Sequence, residues 1–132
     1  MSLKVLIVDD DKMIKLVHKM MVLKSGLCTE PLVFDEGKSA YDFLVAQHTD
    51  FDNYLILLDI NMPIMNGWEF LDAIQGKDFI PKLQVVMVTS SVDTGDRNKA
   101  KDYPQILDFL EKPLKVDACN YIKNLPSVAS LI

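Results

Sequence analysis

The chain has 132 residues, 49% apolar and 25% charged, which fits one soluble globular domain able to fold without a metal or disulfide staple. A net charge of −5 argues against direct nucleic-acid binding, which needs clustered Lys and Arg. Cys28 and Cys119 lack metal-site spacing and no run approaches the ~18 apolar residues of a membrane span, so the expectation is a cytoplasmic protein with inert thiols and no membrane insertion.

Residues 4–8 form a short apolar run that reads as a strand buried on both faces, and it ends in Asp9-Asp10-Asp11. Residues 12–24 place Met13/Ile14, Val17 and Met20/Met21 at helical spacing, with Asp11 as N-cap and Gly26 as the closing glycine. Residues 29–34 are a weaker strand, sent to a sheet edge by Pro31. Residues 37–46 put Ala40, Phe43 and Leu44 on one helical face. Residues 55–58 are a second fully buried strand, running into Asp59 and a loop with Asn61, Pro63 and Gly67. Residues 68–74 form a short helix ended by Gly76, with Trp68, like Tyr121 later in the chain, read as an exposed residue of ordinary packing or the rim and not a partner hot spot.

Residues 83–88 are the fourth strand, ending in Thr89-Ser90-Ser91. Residues 93–102 are a nearly all-polar helix with only Ala100 clearly apolar, so that helix should be loosely held. Residues 106–110 are the last strand, followed by Glu111-Lys112-Pro113, and Val116, Cys119 and Ile122 mark the last helix. The domain is expected to span residues 1–125, with 126–132 as a C-terminal tail.

Five strands alternating with five helices imply an α/β fold, a parallel sheet covered on both faces. The flavodoxin-like doubly wound order 2-1-3-4-5 puts the Pro31 strand at an edge, and its switch point falls between the strands ending in Asp9-Asp10 and in Asp59. Carboxylates crowded there need compensation, and a hard divalent cation, Mg²⁺ or Mn²⁺, takes oxygen ligands of this kind. Thr89 supplies a hydroxyl, Lys112 a fixed cation and Asn61 a backbone carbonyl at the same rim. Acids for a metal, a hydroxyl and a lysine suit phosphoryl transfer, with Asp59 as nucleophile. On this topology Cys28 and Cys119 lie too far apart to pair.

Leu6-Ile-Val-Asp9-Asp10-Asp11, Leu57-Leu-Asp59-Ile-Asn-Met-Pro63-Ile-Met-Asn-Gly67, Val88-Thr89-Ser90 and Phe109-Leu-Glu-Lys112-Pro113 together resemble the receiver domain of two-component response regulators, of the single-receiver, chemotaxis-regulator type. The match in order and spacing covers nearly the whole chain. The resemblance implies that Asp59 takes a phosphoryl group from a phosphohistidine. Asp10, Asp59 and the Asn61 backbone carbonyl would bind Mg²⁺, with Asp9 reaching it through water. Lys112 would pair with the phosphoryl oxygens and Thr89 would hydrogen-bond to one. The change would then pass through Thr89 and an inward turn of Phe109 to the face made by helix 4, strand 5 and helix 5. The resemblance also implies a cis Lys112–Pro113 peptide, where Pro113 by itself reads as a helix-start residue.

Implied partners are a sensor histidine kinase or histidine phosphotransfer protein and an unidentified downstream protein, and a weak homodimer through the helix 4–strand 5–helix 5 face is compatible with the pattern. The chain would not be a conventional enzyme, since it catalyses only its own phosphorylation and dephosphorylation. Three features depart from the family. Phe109 lacks a hydroxyl, Tyr103-Pro104-Gln105 replaces a small turn before strand 5, and Asn61 and Ser91 occupy positions that tune the lifetime of the phosphoryl group. Three rival readings stand beside this one: a pseudo-receiver scaffold that is never phosphorylated, a haloacid-dehalogenase-like phosphohydrolase using Asp9, and a flavodoxin-like nucleotide binder, whose phosphate the three aspartates after the first strand would repel. A stand-alone receiver is expected over a fragment of a longer regulator.

Overall fold

The computed structural model describes residues 2–90 and 94–132. Ser91 and the first residue of the expected 93–102 helix lie outside the described residues. The elements run β1 (Ser2–Val8), α1 (Lys12–Ser25), β2 (Leu32–Phe34), α2 (Gly37–Gln47), β3 (Asp52–Asp59), α3 (Gly67–Ile74), a 3₁₀ turn (Ile80–Lys82), β4 (Leu83–Thr89), α4 (Thr94–Ala100), β5 (Ile106–Glu111), α5 (Val116–Lys123) and α6 (Pro126–Ala129). All pairings are parallel and the sheet order is β2-β1-β3-β4-β5, as expected.

Period-2 alternation divides the apolar strands between two cores. Leu6, Val8, Ile56, Leu58, Val85 and Met87 face α2 and α3. Val5, Ile7, Leu55, Leu57, Val86 and Val88 face α1 and α5. The central side chains are fully buried, so truncating one such as Ile56 or Leu58 to alanine costs about 2–5 kcal/mol.

Three elements differ from the sequence reading. The edge strand is three residues long, because Pro31 stands immediately before it and supplies no N–H to a ladder. The expected tail, residues 126–132, includes a short helical turn: Pro126 opens α6, and Val128 is buried in the α1/α5 core. Trp68 is buried, at 8% exposure, whereas Tyr121 is 46% exposed as expected. The thin stripe of α4 is borne out, since it contributes no buried residue. Both cysteines are free thiols.

Helix α1 begins on Asp11, whose carboxylate accepts the Met13 and Ile14 N–H groups, and ends on Gly26 in the left-handed region at φ 77°. His18 and Val22 point into the core, while Met13, Leu16, Met20 and Leu23 form an exposed apolar seam on the opposite side. Their 3-4-3 spacing is that of a heptad seam.

Candidate functional site: an acidic rim at the carboxyl ends of the strands

Parallel register brings the strand ends to one edge. Val8 pairs with Leu58, Asp59 with Val88 and Thr89 with Glu111, so Asp9, Asp59, Thr89 and Lys112 follow one another along a single rim. Carboxylate oxygens of Asp9, Asp10 and Asp59 all lie within 4.8 Å of one another. Asp9 and Asp59 are buried and Asp10 is exposed. Lys112 Nζ lies 2.7 Å from Asp9 Oδ2 and 3.1 Å from Asp59 Oδ2. The Lys112 N–H donates to the Thr89 carbonyl at 2.8 Å, and the Lys112–Pro113 peptide is cis.

Backbone contacts hold the acids in place. The Asp11 N–H donates to Asp9 Oδ1 at 2.9 Å, and the Asn61 N–H donates to Asp59 Oδ1 at 3.3 Å. The Gly67 N–H donates to the Ile60 carbonyl at 2.8 Å, and a Cβ on Gly67 would stand 2.6 Å from the Asp59 carbonyl oxygen. Only glycine permits that approach. Within the same loop Ile64 adopts φ 69° and is 80% exposed, a strained conformation for a β-branched residue.

One lysine does not balance three acids. Burial and then the Asp9 charge raise the Asp59 carboxyl to about 6, against the opposing pull of Lys112 and the Asn61 N–H. Burial alone would lower Lys112, yet its bonds to Asp9 and Asp59 hold it above the ordinary lysine value. The surplus negative charge, the all-oxygen donor set and the short separations fit a hard divalent cation.

Every expected site residue among those described reaches the rim or the layer behind it. Asp9, Asp10, Asp59 and Lys112 converge, Asn61 holds Asp59 by its backbone, and Thr89 closes β4 at 2% exposure. Asp11 serves as the helix cap. Phe109 is already turned inward, 7% exposed, with its ring centroid 6.4 Å from that of Trp68. The Tyr103-Pro104-Gln105 segment is fixed by Tyr103, which stacks on Trp68 at 5.6 Å and donates its hydroxyl to Asp72.

Sequence reasoning missed His18. Its Nε2 accepts the Leu114 N–H at 2.9 Å, tying α1 to the loop that carries Lys112. Burial drives its pKa down to about 4, with Asp9 pulling the other way. A histidine among the lysines of an amphipathic helix carries no signal for a partner 96 residues away.

Comparison with known proteins agrees with this geometry. The chain is 30% identical over 116 residues to the two-component response regulator 24 of Arabidopsis thaliana, covering 87% of this chain and 77% of that protein. It is 31% identical to the hybrid signal transduction histidine kinase G of Dictyostelium discoideum, covering 93% of this chain but 4% of the kinase. Among solved structures, a two component response regulator from Cytophaga hutchinsonii superposes with a TM-score of 0.81 at 27% identity, covering 98% of both chains. A response regulator receiver protein from Dyadobacter fermentans gives 0.79 at 30% identity, covering 92% of this chain and 96% of that one. No helix among the described residues is long and apolar enough to cross a membrane. The family profile for the response regulator receiver domain matches residues 5–121, and the chain belongs to that family of two-component signalling modules.

Proposed function

We propose that the chain is a phosphoacceptor switch in which Asp59 receives a phosphoryl group from a phosphohistidine of a sensor kinase or phosphotransfer protein. The observation that carries this reading is Asp59 itself, buried at the strand end between Asp9 and Lys112. An Asp59 oxygen attacks phosphorus in line while the phosphorus–nitrogen bond to the donor imidazole breaks, its electron pair returning to nitrogen. Lys112 moves from pairing with the acid to pairing with the phosphoryl oxygens. Asp10, Asp59 and the Asn61 carbonyl would hold Mg²⁺ or Mn²⁺ with Asp9 behind them, and the bound cation would offset charge on those oxygens. Thr89 and Phe109 then carry the change to the face of α4, β5 and α5. Because Phe109 is already inward, the larger movement falls to Thr89 and α4.

The donor is a helical protein on this reading. The exposed seam of Met13, Leu16, Met20 and Leu23 starts beside the acidic rim, and Lys12, Lys19 and Lys24 flank it. That combination fits an apolar helix face with acidic borders. The rival with Asp9 as nucleophile draws no support, since residues 5–121 match the response regulator receiver domain.

Incubation with Mg²⁺ and acetyl phosphate should add one phosphoryl mass to the wild-type chain and none to Asp59→Asn. Beryllofluoride should perturb the amide signals of Thr89 and Phe109. An unlabelled wild-type chain with an unchanged spectrum would leave the scaffold reading standing.

A further inference from the structure

The helix nearest the output end is held in an unusual way. α4 buries no residue of its own, and only Ala100 packs partly against the core. Two cations on it instead lie over aromatic rings that belong to other elements. The Arg97 guanidinium is 5.7 Å from the Phe109 ring centroid, and Lys99 Nζ is 4.9 Å from that of Trp68. Contacts of this type supply a large share of what holds so thin a helix.

The two rings are differently connected. Phe109 sits on β5, beyond Thr89. Trp68 directly follows Gly67, whose backbone is pressed against the Asp59 carbonyl with no room for a Cβ. The start of α3 is made stiff by a reciprocal cap, Asn66 accepting from the Glu69 N–H and Glu69 accepting from the Asn66 N–H. Trp68 is then wedged between Tyr103 and Phe109, with Tyr103 tied to Asp72 on the same helix. A displacement of the loop after Asp59 is therefore passed to the indole, and from the indole to Lys99.

We propose that Trp68 is a positioning residue that couples the Asp59 loop to α4 through its contact with Lys99, a route that runs beside the one through Thr89 and Phe109. It rests on the phosphoacceptor reading of Asp59. Trp68 is the only tryptophan in the chain, so its fluorescence reports the contact directly.

Lys99→Met removes the cation and keeps the packing, and Lys99→Arg restores it. In the resting protein Lys99→Met should change Trp68 emission and speed hydrogen exchange of the α4 amides by ~2-fold to ~10-fold, with Lys99→Arg near wild type. With beryllofluoride and Mg²⁺, Lys99→Met and Trp68→Phe should show full perturbation of the Asp59 loop amides but a response in α4 at least halved. Unchanged emission and exchange in Lys99→Met, or a full α4 response in either variant, would overturn the coupling while leaving the phosphoacceptor reading intact. No loop response in the wild-type chain would remove that reading, and the coupling with it.

Discussion

Lys112 reaches Asp59 from two strands away, its Nζ 3.1 Å from Oδ2, and it touches Asp9 in the same reach. The contact makes Lys112 the resting counter-ion of the rim as well as its candidate phosphoryl ligand. Lys112→Met leaves two buried acids facing each other with no cation. We expect a loss of roughly 3 kcal/mol in metal-free unfolding by urea at pH 7. Mg²⁺ should restore a larger part of stability in Lys112→Met than it adds to wild type, because the added cation replaces the missing charge. Equal Mg²⁺ effects on the two proteins would count against cation binding at the rim.

Asp59 sets a pH dependence of its own. Its pKa is raised from 3.8 to about 6 in the fold, so the folded state binds the extra proton between those values. Stability from this group is therefore highest below pH 3.8 and is lost as pH rises through 6. Asp59→Asn removes the cost, partly offset by its lost pair with Lys112. The metal-free variant should be about 1–3 kcal/mol more stable than wild type at pH 7. Denaturant midpoints at pH 7 and pH 4.5 should show that advantage shrinking at the lower pH.

His18 acts with the opposite sign in an overlapping window. Its pKa falls from 6.5 to about 4 because burial disfavours the charged ring, and the neutral ring accepts the Leu114 N–H. That stability is fully present above pH 6.5 and is lost as pH falls towards 4. In wild type the two groups partly cancel, and in Asp59→Asn only the His18 slope remains. Asp59→Asn should thus lose stability more steeply than wild type from pH 6.5 to 4, by roughly 2–3 kcal/mol. His18→Gln, which keeps an acceptor but cannot titrate, should flatten that slope.

Ile64 separates docking from chemistry. Its left-handed backbone is strained, and asparagine tolerates that region better. Ile64→Asn should stabilise the fold by about 1 kcal/mol in thermal melts. Labelling by acetyl phosphate should be unchanged. Labelling from a phosphorylated histidine-protein donor should slow several-fold, since an 80% exposed apolar side chain in the loop that follows the acceptor is lost. Equal slowing with both donors would place Ile64 in the chemistry instead.

The rim was legible in the sequence because Asp9-Asp10 and Asp59 directly follow two apolar runs, so the ends of β1 and β3 announce where the carboxylates stand. Asp11 could be separated from Asp9 and Asp10 by its place directly before a helix. Trp68 and His18 were not legible. What decides their surroundings is supplied by Tyr103, Lys99 and Leu114, residues brought close only by the winding of the sheet. Val128 failed for a related reason: one apolar residue in a four-residue turn has no periodicity to betray which side it buries.

The brevity of β2 has a consequence for crowding. An open sheet border recruits foreign strands in proportion to the length of unpaired backbone it presents. Here that border is three residues, Leu32–Phe34, preceded by Pro31 and followed by Asp35, which is ion-paired to Lys15. Such a stub gives an intruding chain almost nothing to zip onto. On the β2 side the sheet is thus steered away from amyloid-like stacking and strand exchange, which leaves the longer β5 as the border with backbone to offer.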